Sequence, residues 1–325
     1  MAMSINIDIN EKYLLDNYPE ILDLLLIDNT TKKNIIWATD SYRRRGHYFH
    51  HNMDSCMIGK KNFIKPRSQK SKTDQAKRSK DSAEVFTPSW ICNKQNNLID
   101  NDWFGKTGVF NKELEDNTWV TNVNKIVFPE GKTWIDYVKE NRIEITCGEA
   151  PYIVSRYDTV TGNEIELNDR IGLLDRKFRV INENALDKEE WIKYSIVALK
   201  SVYGYEWQGD NLLLARENVL FSYFDYYHNK FGEPPSKELV LEVASIISWN
   251  LWQMDGIKGV IPCSCKVDRI VRINLFGEED VQEFGCAGCA KNDLLHHNGI
   301  YAKMMDWEKN KKIRYIDLLT RGHRL

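Results

Sequence analysis

The chain has 325 residues, a formal net charge of −2, 42% hydrophobic and 11% aromatic residues. That length holds one large core, or one core with an appendage, and the composition excludes a disordered chain. No apolar run approaches the roughly 20 residues that a membrane helix needs, so no membrane partner is expected.

The N-terminus lacks the basic-then-apolar pattern of a secretory signal. Seven cysteines are an odd number, so free thiols in a cytoplasmic protein are expected in place of disulfides. The small net charge conceals a polarity. From Lys60 to Lys80, nine of 21 residues are Lys or Arg against one acid, Asp74.

In chain order, Glu11 to Leu26 read as a helix, and Asn34 to Thr39 as a short strand with Ile35, Ile36 and Trp37 inward. Residues 40–81 are polar and basic, with Arg43, Arg44 and Arg45 ahead of the main charge run. Few core formers lie there, so the run is expected on the surface of an N-terminal extension spanning residues 1–80. Lysine and arginine neutralise phosphates with release of counterions. Lys65, Arg67, Lys70, Lys72, Lys77 and Arg78 are therefore candidates for contact with double-stranded DNA. The alternative is a solvated linker.

In Ala83 to Ile91, Thr87 is placed to cap a helix and Pro88 to open it. That helix is expected from Ser89 to about Asp100, with Trp90, Ile91 and Leu98 inward. Residues 101–139 look like an insertion packed by Trp103, Phe104, Phe110, Trp119, Phe128 and Trp134. The stretch 142–158 then reads as a strand over Ile143–Thr146, a compact turn Cys147-Gly148-Glu149-Ala150-Pro151, and a helix from Tyr152. Open α/β sheets build ligand sites from that succession, outside the carboxyl ends of their strands. A hairpin about Gly162 follows, then a helix whose start pairs Asp187 with Glu190. Tyr203 to Trp207 reads as a strand ending in Glu206, and Asp210 to Tyr227 as a long amphipathic helix. Pro234 and Pro235 break the chain before another helix, which runs to about Trp249.

These motifs, in this order, resemble the N6-adenine DNA methyltransferases, the modification subunits of restriction systems. The resemblance covers roughly Ala83 to Pro262 and implies, over residues 81–262, a Rossmann-like, S-adenosylmethionine (SAM)-dependent methyltransferase domain in the α/β class. In it Phe86, Thr87 and Pro88 lie against SAM, while Glu144, Cys147 and Gly148 form the first cofactor motif. Glu206 accepts the ribose hydroxyls, Trp207 flanks the adenine, and Asp255 accepts from the adenine amino group. The family's Asn/Asp-Pro-Pro-aromatic turn, which holds the flipped target base, has no counterpart here, so the catalytic residues are unassigned. The resemblance implies a modification subunit of a restriction–modification or phage-defence system, with a restriction or specificity subunit as partner. The alternative is a non-catalytic DNA-binding subunit that keeps the fold.

Residues 263–325 carry two cysteine pairs, Cys263/Cys265 and Cys286/Cys289, with glycines between them. Such pairs on two turns suit zinc in a zinc-ribbon-like module. His296 or His297 can replace one thiolate, and unrelated buried thiols are the alternative.

Overall fold

The computed structural model describes residues 14, 16–58, 64–273 and 279–321. Its centre is a three-stranded parallel sheet in the order β3 (Arg142–Glu144), β4 (Val202–Glu206), β5 (Leu251–Gln253). The register pairs Arg142 with Val202 and Gly204 with Leu251. Ahead of it come α1 (Pro19–Leu26), α2 (Ser55–Ile58), α3 (Lys72–Ser82) and α4 (Ser89–Phe104). The hairpin β1 (Asn111–Glu113) with β2 (Trp119–Thr121) and α5 (Trp134–Lys139) lead into β3 (Arg142–Glu144). Helices α6 (Leu173–Asn184) and α7 (Lys188–Lys200) separate β3 from β4 (Val202–Glu206). Then α8 (Gly209–Phe231) and α9 (Lys237–Asn250) run to β5 (Leu251–Gln253).

Alternation along β4 decides what covers each face of the sheet. Val202 joins the main core with Leu199, Val219 and Leu251. Tyr205 turns the other way, into a smaller cluster with Trp252, Met254, Ile261, Ala302 and Met304. Gly204 is required at the centre, because a Cβ there would come within 2.9 Å of Leu251 and 3.3 Å of Cys147. That second cluster seats the C-terminal unit: β6 (Asp268–Ile273) paired with β7 (Glu279–Phe284), α10 (Ala287–Lys291), β8 (Lys303–Asp306) with β9 (Lys311–Arg314), and α11 (Tyr315–Arg321).

Among the described residues before 80, Leu22, Leu25, Ile35 and Trp37 share the main core with Val243 and Ile247. The carbonyl of Trp37 accepts from Gly209, and Gln253 bonds both the N–H and the carbonyl of Ile36. Three expectations change. No helix begins at Tyr152. The carbonyls of Tyr152 and Ile153 accept from Leu173 and Leu174, so they complete the first turn of α6 from outside. Helix α8 is not amphipathic along its first half; every residue from Gly209 to Leu220 is buried.

The third change concerns α4. Its inward face is Cys92, Asn93, Asn96, Asn97, Asp100 and Phe104, whereas Trp90 and Leu98 are exposed and Ile91 half-buried. The reason is Arg176, buried on α6, which needs acceptors and finds Asp100, Asn93 and Asn97 within 2.9 Å. A buried cation imposes polar neighbours where apolar ones are the default. Pro88, not Thr87, holds the N-cap position of α4, and Asp158 takes the Ser89 N–H at 2.7 Å. Among the described residues no helix is long and apolar enough to cross a membrane.

Candidate cofactor site and metal centre

Glu206 ends β4, and its carboxylate joins two turns. One oxygen accepts the Gly148 N–H at 2.9 Å, the other the Gln208 N–H at 3.0 Å. Burial raises its pKa against the pull of those two N–H groups. Gly148 has φ +55°, and a Cβ there would stand 3.4 Å from the Phe86 ring. Phe86, Gly148 and Glu206 therefore meet at the carboxyl ends of the sheet. Glu144, at the end of β3, is also buried, and accepts from the N–H of Ile153 at 3.2 Å. Burial pushes its carboxyl well above the usual range. Cys147 is a buried packing thiol beside Gly204.

Other expected members are engaged separately. Thr87 contributes its carbonyl, which accepts from Thr159 at 3.1 Å. Pro88 serves the start of α4. Trp207 donates to the carbonyl of Ala38 at 3.2 Å and meets the edge of Phe49. Asp255 accepts the N–H groups of Ile257 and Lys258, so its side chain stabilises its own turn.

The basic segment divides. Lys65, Lys72 and Lys77 are exposed, while Lys60 and Lys61 lie outside the described residues. Arg67, Lys70 and Arg78, expected on the surface, point inward. Arg78 donates to Glu84 and Gln208, each at 2.6 Å, and pairs with Asp210 at 2.8 Å. Lys70 approaches Asp210 at 3.5 Å, and Arg67 approaches Glu84 at 3.2 Å. The Arg67 N–H also donates to Glu149, whose second oxygen accepts from Tyr157. Burial pushes Asp210 up, but Arg78 and Lys70 outweigh it and bring the pKa down to about 2. Burial pushes Glu149 up.

Thus cations expected to contact DNA instead neutralise the acids that flank Glu206. Glu84, Glu149 and Asp210 escaped the sequence reading, although Gln75, Arg78 and Ser79 mark the covered side of α3 at helical spacing. Hydrophobic periodicity does not register a covered face built from polar residues.

At the C-terminal end, the β6–β7 hairpin carries Cys265 and Cys286 on its flanks. Helix α10 starts after Cys286, so Cys289 falls one turn later on the same side. His297 completes the group: the ligand atoms of Cys265, Cys286, Cys289 and His297 all lie within 4.8 Å of one another. Its Nδ1 stands 3.6, 3.5 and 3.6 Å from the three sulfurs. Tetrahedral zinc with bonds of about 2.3 Å to sulfur and about 2.0 Å to nitrogen places those atoms about 3.5 Å apart. The group can hold a metal ion.

Cys263, expected as a ligand, is exposed and outside the group; His297 takes the fourth corner. Burial pushes Cys286 up, yet the N–H groups of Asn298 and Cys289 outweigh it and lower the thiol to about 6. Gly299 admits the approach, since a Cβ there would come within 3.0 Å of the Cys265 sulfur.

No protein-family model, curated protein or solved structure matches the chain. By its own geometry it is a mixed α/β protein with a small parallel sheet and a Cys3His group able to hold a metal ion.

Proposed function

We propose that the chain is a SAM-dependent methyltransferase-like protein of the Rossmann-like class that acts on adenine in double-stranded DNA, as part of a restriction–modification or phage-defence system. The observation that carries this reading is the meeting of Phe86, Gly148 and Glu206 at the carboxyl ends of parallel strands. Ligands of open α/β sheets bind at that edge. The Glu206 carboxylate accepts the backbone N–H groups of Gly148 and Gln208, and its oxygens are acceptors of the kind a ribose diol donates to. Bound SAM would supply the methyl group, with Glu206 holding the ribose and Phe86 packing against the cofactor. The exposed Lys65, Lys72 and Lys77 are the part of the basic segment left to meet DNA phosphates. The Cys3His group is a structural zinc site in this reading.

The missing Asn/Asp-Pro-Pro-aromatic turn favours a second reading, a non-catalytic DNA-binding or specificity subunit that retains the fold without methyl transfer. Incubation with labelled SAM and mixed-sequence duplex, followed by nucleoside analysis, separates the two. Methyladenine establishes the first. Retained DNA binding with no labelled base establishes the second, and absence of DNA binding rejects both.

A further inference from the structure

A second polar site lies far from Glu206. Helix α8 starts two residues after the Glu206–Trp207 corner, and Tyr226 and Asn229 near its other end line a cleft of about 380 Å³. At 1.5 Å per residue, the length of helix between the two sites is about 25 Å. The cleft volume falls within the range of small-molecule pockets. Arg170, Arg176 and Arg179 line it, beside the aromatic rings of Phe110 and Tyr226.

Two of these guanidinium groups are incompletely used. Arg170 and Arg176 have side chains 2% and 1% exposed. Arg170 Nη1 and Arg176 Nε nevertheless have no hydrogen-bond partner among the described residues. Each group is held rigidly by its remaining nitrogens. Arg170 pairs with Asp225 at 2.8 Å, and Arg176 bonds Asp100, Asn93 and Asn97. A buried donor left unsatisfied costs about 1–3 kcal/mol, so two on adjoining arginines call for an acceptor.

By charge alone the site is balanced, four arginines against four carboxylates, so the orphan N–H groups carry the inference. Asp225 serves Arg156 as well as Arg170, so one carboxylate faces two cations. Asp100 answers Arg176, and Glu183 answers Arg179. Asp175 also lines the cleft; Ser155 and the Gly172 N–H occupy its Oδ2, while its Oδ1 has no hydrogen-bond partner among the described residues and suits a ligand that also carries a hydroxyl.

We infer that this cleft binds a small organic oxyanion, a carboxylate or a phosphate ester, through the free N–H groups of Arg170 and Arg176. Guanidinium groups match the geometry of both anions. The near-complete burial of both arginine side chains favours a small molecule over a nucleic-acid backbone. The inference does not rest on the methyltransferase reading.

The test is calorimetric titration of the full chain with inorganic phosphate and, separately, acetate. Asn168 and Asn229 are exposed residues of the cleft wall, so Asn168→Trp and Asn229→Trp block it without touching the arginines. The expected result is one-site binding of at least one probe, weakened about tenfold or more by either blocking variant and by Arg170→Lys. Melting temperatures of the blocking variants without probe should match the parent. The preferred probe identifies the ligand as a phosphate ester or a carboxylate. No binding of either probe, or binding indifferent to both blocking variants, overturns the inference. Displacement of the probe by a DNA duplex overturns its small-molecule form.

Discussion

Arg78 and Asp210 form an ion pair at 2.8 Å with side chains 4% and 0% exposed. The pair ties α3 to the first turn of α8, where the helix dipole also favours the carboxylate. Breaking a buried pair by removing one partner leaves an uncompensated charge and costs about 3–5 kcal/mol. Arg78→Ala should destabilise the chain by that amount in urea unfolding, while the neighbouring exposed Lys77→Ala should change it by less than about 0.5 kcal/mol. Equal effects would mean that the basic run is a solvated segment after all.

The same pair sets an acid limit. The pKa of Asp210 is depressed to about 2, so its contribution is complete above the unfolded value and vanishes as pH falls from about 4 to about 2. The loss is on the order of 2 kcal/mol. Asp210→Asn should remove that part of the pH dependence. Glu206 has the opposite sign: its pKa is raised, so its contribution is lost as pH rises through the raised value. Glu206→Gln should therefore flatten the decline of stability between acid and neutral pH, as read by denaturation at a series of pH values.

Metal content distinguishes the four cysteines. Purified protein should carry about one equivalent of zinc by elemental analysis. Cys263→Ser should keep it, and Cys289→Ser or His297→Ala should lose it. Gly299→Ala should weaken metal retention against a chelator by about 10–100-fold, the scale of changes to groups supporting a ligand. Because metal binding contributes to folding, the chelated protein should expose its C-terminal unit to protease. Full zinc in Cys289→Ser would refute the Cys3His assignment.

If DNA lies along the exposed lysines, replacing Lys65, Lys72 and Lys77 together by Ala should flatten the salt dependence of binding. Each phosphate contact carries a slope near −0.9, so the change should approach about 3 units. Affinity for all duplexes should fall alike, because phosphate contacts carry no sequence information. An unaltered slope would remove these lysines from the interface.

Glu206→Ala removes a charged acceptor from the proposed ribose contact and should cost SAM about 1.5–3 kcal/mol of affinity by calorimetry. Parent-like affinity in a folded variant would place the cofactor elsewhere.

The sequence by itself determined the features that depend on neighbours along the chain. The strand that ends at Glu206, the Asp187 helix cap, and the helix broken off before Pro234 are legible because local geometry and turn chemistry set them. The cysteine pairs likewise announced a possible metal group by spacing alone, with His297 open as a replacement ligand.

Only the tertiary structure decided which polar residues are inside. Arg67, Lys70 and Arg78 read as surface cations until Glu84 folds back just after α3 and Glu149 and Asp210 are brought to them from distant segments. Likewise the asparagine face of α4 has no reason to be buried until Arg176 stands opposite, and Cys263 yields to His297 only once the β6–β7 hairpin closes. Hydrophobic burial follows a period readable along the chain. Compensation of a buried charge depends on a partner that sequence distance does not specify.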